Sequence, residues 1–150
     1  MLKTLILDLV RNKMSKKVVI LLAEDNPADK MLFEVGLRGS RLEAELHWVK
    51  DGVHVMEFLS RSGEYTDAPK PDIAILDLNM PRKDGRQIVE AIKSSDEHKD
   101  ILTIVLTTSD AATDKKSCYD LGADKFMIKP LEFTGIQDII KQIEKMWFKD

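Results

Sequence analysis

Residues 72–85 read DIAILDLNMPRKDG, an apolar run that drives into an aspartate and stops at a turn. Ile73, Ala74, Ile75 and Leu76 lie between Pro71 and Pro81 and are rich in β-branched side chains. Such a run reads as a strand buried on both faces, the kind found in parallel sheets. Asp77 stands at its end. An ionised carboxylate avoids an apolar site unless something pairs with it. Asp77 therefore either caps the following turn or faces a polar pocket at the carboxyl edge of a sheet.

The rest of the chain repeats the arrangement. Residues 18–23, VVILLA, form a second continuous apolar run that ends in Glu24 and Asp25. Asn26 and Pro27 then give a helix cap followed by proline in the first turn. Met31, Leu32, Val35 and Leu37 are expected on the buried side of that helix, which Gly39 ends. Residues 44–49, AELHWV, alternate enough for a more exposed strand, and Asp51-Gly52 turns into a second helix with Val53, Val55, Met56 and Leu59 inward. The polar, proline-bearing loop 62–71 is longer than most connections in such a unit. After Gly85, a third helix puts Ile88, Val89 and Ile92 on one face, and residues 101–106, ILTIVL, make another buried strand ending in Thr107, Thr108 and Ser109. A fourth helix has Ala112, Cys118 and Leu121 inward and Gly122 just past its end. Residues 126–128 form a last short strand before Lys129-Pro130, and a fifth helix carries Ile136, Ile139, Ile140, Ile143, Met146 and Trp147 at helical spacing.

Five strands alternating with five helices predict an α/β fold, a doubly wound five-stranded parallel sheet with helices on both faces. Such folds bind ligands beyond the carboxyl ends of their strands. Glu24 and Asp25, Asp77, Thr107 and Lys129 all stand at that edge. In the strand order 2-1-3-4-5, the first and third strands are neighbours about 4.8 Å apart, so Asp25 and Asp77 face each other. Two like charges at about 4 Å cost roughly 4 kcal/mol at an effective dielectric of 20. A small divalent cation offsets this, and ligands that are all oxygen indicate Mg2+. Lys129, roughly 10 Å away in backbone terms, can reach an anion held on Asp77, and Thr107 offers that anion a hydroxyl. A carboxylate, a magnesium site, a lysine and a hydroxyl make a phosphoryl acceptor site. Taken singly, these residues read as caps or solvated ends. Their convergence on one edge is what favours the site.

Length and composition fit that reading. The chain has 150 residues, enough for one domain and its core, with 43% apolar and 33% charged residues. A net charge of −3 lacks the basic excess that would neutralise nucleic acid. The single cysteine, Cys118, suits a reducing compartment, and a cytoplasmic location is expected. Leu2, Leu5, Ile6, Leu9 and Val10 share a helical face, but Lys3, Asp8 and Arg11 interrupt any membrane or signal reading. Residues 1–16 are therefore an expected extension or tail and residues 17–150 the domain. His47, His54 and His98 are scattered, and Cys118 reads as a small core residue.

The acidic pair Glu24-Asp25, the LDLNMPRKDG block, Thr107 thirty residues after Asp77, and Phe126 followed by Lys129-Pro130 resemble, in order and spacing, the receiver domain of two-component response regulators. The resemblance covers Lys17 to about Trp147. It implies that Asp77 accepts phosphate from the phosphohistidine of a sensor histidine kinase or phosphotransfer protein. It further implies that Asp25, Asp77 and the Asn79 backbone carbonyl bind Mg2+, with Glu24 acting through a water. Lys129 and Thr107 would hold phosphoryl oxygens, Thr107 and Phe126 would act as the switch, and the Lys129–Pro130 bond would be cis. The long loop before the third strand, the LTTSD turn and the Met146-Trp147 ending also resemble the stand-alone regulators of bacterial phytochrome kinases.

Two other functions fit the residues less well. An aspartyl-phosphate hydrolase typically needs a second acid two residues after the nucleophile, where this chain has Asn79. A receiver that binds partners without phosphorylation usually loses acids or the lysine, and all are present. With no output domain expected after the fifth helix, the signal would pass by protein contact. Phosphate on Asp77 would draw Thr107 inward, Phe126 would turn into the space, and the face made by the fourth helix, fifth strand and fifth helix would change. Ile143, Met146, Trp147 and Phe148 are the interface candidates there, for a homodimer or a partner.

Overall fold

A computed structural model describes residues 1–7, 17–108 and 111–149. The elements run β1 (Val18–Ala23), α1 (Pro27–Arg38), β2 (Ala44–Val49), α2 (Gly52–Ser60), β3 (Ile73–Leu76), α3 (Gly85–Ser94), β4 (Leu102–Thr107), α4 (Ala112–Asp120), β5 (Lys125–Ile128) and α5 (Phe133–Phe148). All strands are parallel, in the order β2-β1-β3-β4-β5. This is the expected doubly wound sheet. Leu2, Leu5 and Ile6 are exposed on an N-terminal helical turn. Leu9, Val10 and Ser109 lie outside the described residues.

The period of two along each strand divides the core between the two faces of the sheet. Leu21, Ala23, Ala74, Leu76, Val105 and Phe126 pack with α2, α3 and α4. Ile20, Leu22, Ile73, Ile75, Ile104, Leu106 and Met127 pack with α1 and α5. Central β3 is buried throughout, whereas edge strand β2 is mostly half-buried.

Local chemistry sets the ends of the elements. Asn26 Oδ1 accepts the Ala28 and Asp29 N–H groups at 2.9 and 3.3 Å, with Pro27 opening α1. α4 ends in a Schellman turn: the Gly122 N–H donates to the Tyr119 carbonyl and the Ala123 N–H to the Cys118 carbonyl, with Gly122 at φ 105°.

Three helical faces differ from expectation. α1 buries Phe33, Gly36 and Leu37, and leaves Met31, Leu32 and Val35 exposed. Its inward stripe is fixed by close approach to α5, since a Cβ on Gly36 would overlap the Ile140 side chain. α2 buries Phe58 with Val55 and Leu59, leaving Val53 and Met56 half-buried. α4 is polar and short. Cys118 is its only fully buried residue, and Ala112 is exposed.

The expected interface residues of α5 also change role. Ile143 is 0% exposed, because it continues the stripe of Ile136, Ile139 and Ile140 onto the sheet, and it forms no interface. Met146 and Trp147 are half-buried against the same layer. Phe148 alone is exposed, and its ring lies 4.8 Å from the Arg41 guanidinium.

Candidate functional site

Parallel register brings the ends of β1, β3, β4 and β5 to one edge. Ala23 pairs with Leu76, and the Asp77 N–H donates to the Ala23 carbonyl at 3.2 Å, which sets Glu24 and Asp77 side by side. Thr107 pairs with Ile128, and the Lys129 N–H donates to the Thr107 carbonyl at 2.8 Å. Every polar residue expected at this edge is there.

Carboxylate oxygens of Glu24, Asp25 and Asp77 lie within 4.8 Å of one another, with Glu24 and Asp77 buried and Asp25 exposed. Asp77 Oδ1 accepts the Asn79 N–H at 3.0 Å, and Asp77 Oδ2 accepts Lys129 Nζ at 2.8 Å. Lys129 Nζ also meets Glu24 Oε2 at 2.5 Å and Asp29 Oδ2 at 3.4 Å. The lysine thus reaches the carboxylates of Asp77, Glu24 and Asp29 directly. Asn79 Nδ2 donates to the hydroxyl of buried Thr107 at 3.4 Å.

The charges do not cancel. Burial alone would drive the Lys129 pKa down, but hydrogen bonds to Asp77 and Glu24, joined by their charges, outweigh it and hold the ammonium well above its usual value. Burial pushes the Glu24 carboxyl up, and the hydrogen bond and charge of Lys129 reverse this only in part. One lysine cannot neutralise the whole cluster. Since Glu24 binds its proton more tightly folded than unfolded, its ionisation costs stability as pH rises above its ordinary value of 4.5. A divalent cation removes that cost. Three hard oxygen donors with an exposed carboxylate leaving room for waters fit such an ion.

One expectation is revised. The Lys129–Pro130 peptide is trans, and no cis bond occurs among the described residues. Trans is the cheaper form even before proline, and with it Lys129 already reaches both buried acids. Phe126 is 6% exposed, with its ring in the core beneath α2, α3 and α4. It pairs with Val105, two steps before the Thr107–Ile128 pair and therefore on the same face of the sheet.

Some site residues were not singled out from sequence. The Trp48 indole N–H donates to the Glu24 carbonyl at 2.7 Å and so anchors the acidic loop. A tryptophan in a polar edge strand was the available signal. Asp29, in the first turn of α1, carries no signal of its own in the sequence, and its Oδ2 lies 3.4 Å from Lys129 Nζ. At Gly85 a Cβ would lie 2.7 Å from the Asp77 carbonyl oxygen and 2.9 Å from Leu78 Cα, so the end of β3 packs directly on the start of α3.

The comparisons agree with this geometry. A family model described as the response regulator receiver domain matches residues 20–141. Response regulator Rcp1 of Synechocystis sp. is 37% identical over 87% of this chain and 89% of its own length. Its Mn2+-bound crystal structure superposes with a TM-score of 0.80, at 37% identity over 87% of this chain and 94% of that one. The phosphorylated cyanobacterial phytochrome response regulator RcpA gives 0.83, at 38% identity over 89% and 95%. The sheet order, the edge cluster and these matches lead to one assignment: the chain belongs to the response regulator receiver domain family.

Proposed function

We propose that Asp77 is the phosphorylated aspartate of this receiver, that Mg2+ is its metal, and that a histidine kinase or phosphotransfer protein is the donor. The observation that supports this most is the convergence on Asp77 of a buried lysine and two further carboxylates. Receiver domains bind a divalent metal, and here Glu24 (through a water), Asp25, Asp77 and the Asn79 carbonyl would hold it. When bound, the ion neutralises charge on the phosphoryl oxygens.

In the transfer, an Asp77 carboxylate oxygen attacks phosphorus, the O–P bond forms, and the N–P bond of phosphohistidine breaks with its electron pair returning to the imidazole. Asn79 N–H holds the other carboxylate oxygen and orients the attack. Lys129 exchanges its contact with Asp77 for a phosphoryl oxygen, and Thr107 donates its hydroxyl to another. Exposed Leu32, which lines a pocket with Glu24, Asp29 and Lys129, and exposed Leu131, two residues after Lys129, give a donor protein apolar surface to cover. The α4–β5–α5 face is the proposed output surface for a homodimer or a downstream partner. Phe148, rather than Ile143, is its apolar end. A sensor kinase of the phytochrome class is the proposed upstream partner.

No helix among the described residues is long and apolar enough to cross a membrane, and the buried free thiol of Cys118 fits a reducing cytoplasm. The hydrolase reading remains weaker, because Asn79 provides an amide where that chemistry needs an acid.

Incubation with acetyl phosphate tests the proposal. Uptake should require Mg2+ and vanish with chelator, and metal-independent uptake at the same rate would contradict it. Lys129→Ala should bind Mg2+ about tenfold more tightly, since the ammonium, 2.8 Å from Asp77 Oδ2 and 2.5 Å from Glu24 Oε2, competes with the ion for the same carboxylates. A unit charge about 5 Å from a divalent one costs roughly 7 kcal/mol at an effective dielectric of 20 before screening. Metal titration measures this. Weaker binding by that variant would contradict the role given to Lys129.

A further inference from the structure

The loop that carries Asp77 and Asn79 contains an outlier. Arg82 has φ 72°, in the left-handed region that long side chains rarely adopt. Arg61 and Lys149 also have positive φ, but each caps the C-terminus of a helix, where that conformation is common. Arg82 caps nothing. The Lys83 N–H donates to the Pro81 carbonyl at 2.9 Å, which closes a three-residue turn around Arg82. With positive φ at its centre, this is the rare and strained kind of γ-turn. Strain of this sort persists only where the surroundings over-determine it.

Two contacts with the β2–α2 turn supply that determination. Arg82 Nη1 donates to Asp51 Oδ2 at 3.1 Å. Asp51 is 6% exposed, and its other oxygen accepts the His54 N–H and meets His54 Nδ1, both at 2.9 Å. The carboxylate is therefore fixed as the N-cap of α2 and cannot follow a moving arginine. Burial works to raise its pKa, but His54 and then Arg82 hold it below the usual carboxylate range, so it stays charged for Arg82. Beside it, a Cβ on Gly52 would lie 2.5 Å from Lys83 Cβ and 2.7 Å from the Lys83 carbonyl oxygen. The loop backbone is seated directly on that glycine.

From this seat the constraint runs a short way to the reacting atoms. The Gly85 N–H donates to the Leu78 carbonyl at 3.4 Å, which closes residues 78–85 into a ring. Arg82 lies within that ring, as does Asn79, whose N–H holds Asp77 Oδ1. We propose that Asp51 and Arg82 are positioning residues for phosphoryl transfer: their ion pair holds the strained turn that sets Asn79 and Asp77 in register for attack. The proposal rests on Asp77 being the phosphoacceptor.

The test uses the full chain with acetyl phosphate at saturating Mg2+, with rates expressed per folded molecule from denaturant curves. Asp51→Asn keeps a good helix cap while removing the charge, and Arg82→Ala removes the same pair from the half-exposed loop side. Each should slow uptake about tenfold, a fraction of the roughly hundredfold that a 1 Å misplacement can cost. The double variant should be no slower than the slower single one, because both remove one contact. Arg82→Lys should recover part of the rate. Wild-type rates in either single variant, or losses that multiply in the double variant, would overturn the proposal. Failure of the wild-type chain to take up phosphate would instead remove the Asp77 reading beneath it.

Discussion

Asp77→Asn is expected to take up no phosphoryl group from acetyl phosphate or from a kinase, while remaining folded. The amide is close to the carboxylate in shape, so its carbonyl oxygen can still accept the Asn79 N–H that now holds Oδ1. What it lacks is the anionic nucleophile. The variant loses the ion pair with Lys129 at 2.8 Å, but it also relieves Glu24, whose pKa the Asp77 charge helps to raise. These effects oppose each other, so stability should change by no more than about 1 kcal/mol, within the ordinary range for such substitutions. Metal affinity should fall roughly tenfold, about 1.4 kcal/mol, as one of three carboxylates becomes neutral. Radiolabel uptake and a denaturant curve check both statements. Labelling of this variant at the wild-type level would move the site elsewhere.

Gly85→Ala should damage both fold and function. The atoms its Cβ would meet are the Asp77 carbonyl oxygen at 2.7 Å, Leu78 Cα at 2.9 Å and the Asp77 carbonyl carbon at 3.3 Å, all of them backbone. No side chain can rotate away. Alanine favours a helix by up to about 1 kcal/mol over glycine, but overpacking costs roughly 1–3 kcal/mol, so a net loss of about 1–2 kcal/mol is expected. The strand end that carries Asp77 must move, and a shift near 1 Å should slow phosphoryl uptake about a hundredfold. Thermal melting and uptake kinetics measure the two effects. A stable variant with normal kinetics would show that the close approach at Gly85 does not position Asp77.

The sheet was legible because its strands are continuous apolar runs, and the period of such runs needs no partner to be read. The same feature exposed the site: Asp77, Glu24 and Lys129 were conspicuous as charges at the ends of buried strands. What pattern reading missed depends on contact between distant elements. Phe33 rather than Met31 or Leu32 faces the sheet because Gly36 lets α5 approach, and nothing in the local periodicity weights a glycine as core. Ile143 and Phe148 both read as apolar residues on the last helix, yet one fills the core and the other meets Arg41. Asp51-Gly52 read only as a turn into α2. Its contacts with Arg82 and Lys83 join residues 31 positions apart, which no spacing rule anticipates.

The central claim is that the phosphoryl group resides on Asp77. Mass spectrometry of the peptide spanning residues 72–86, after treatment of the Mg2+-loaded protein with acetyl phosphate and borohydride reduction of acyl phosphates, tests it most directly. A single reduced residue at Asp77, dependent on Mg2+, is expected. Modification at another aspartate, or stable phosphate on a serine, threonine or histidine with Asp77 intact, would contradict it.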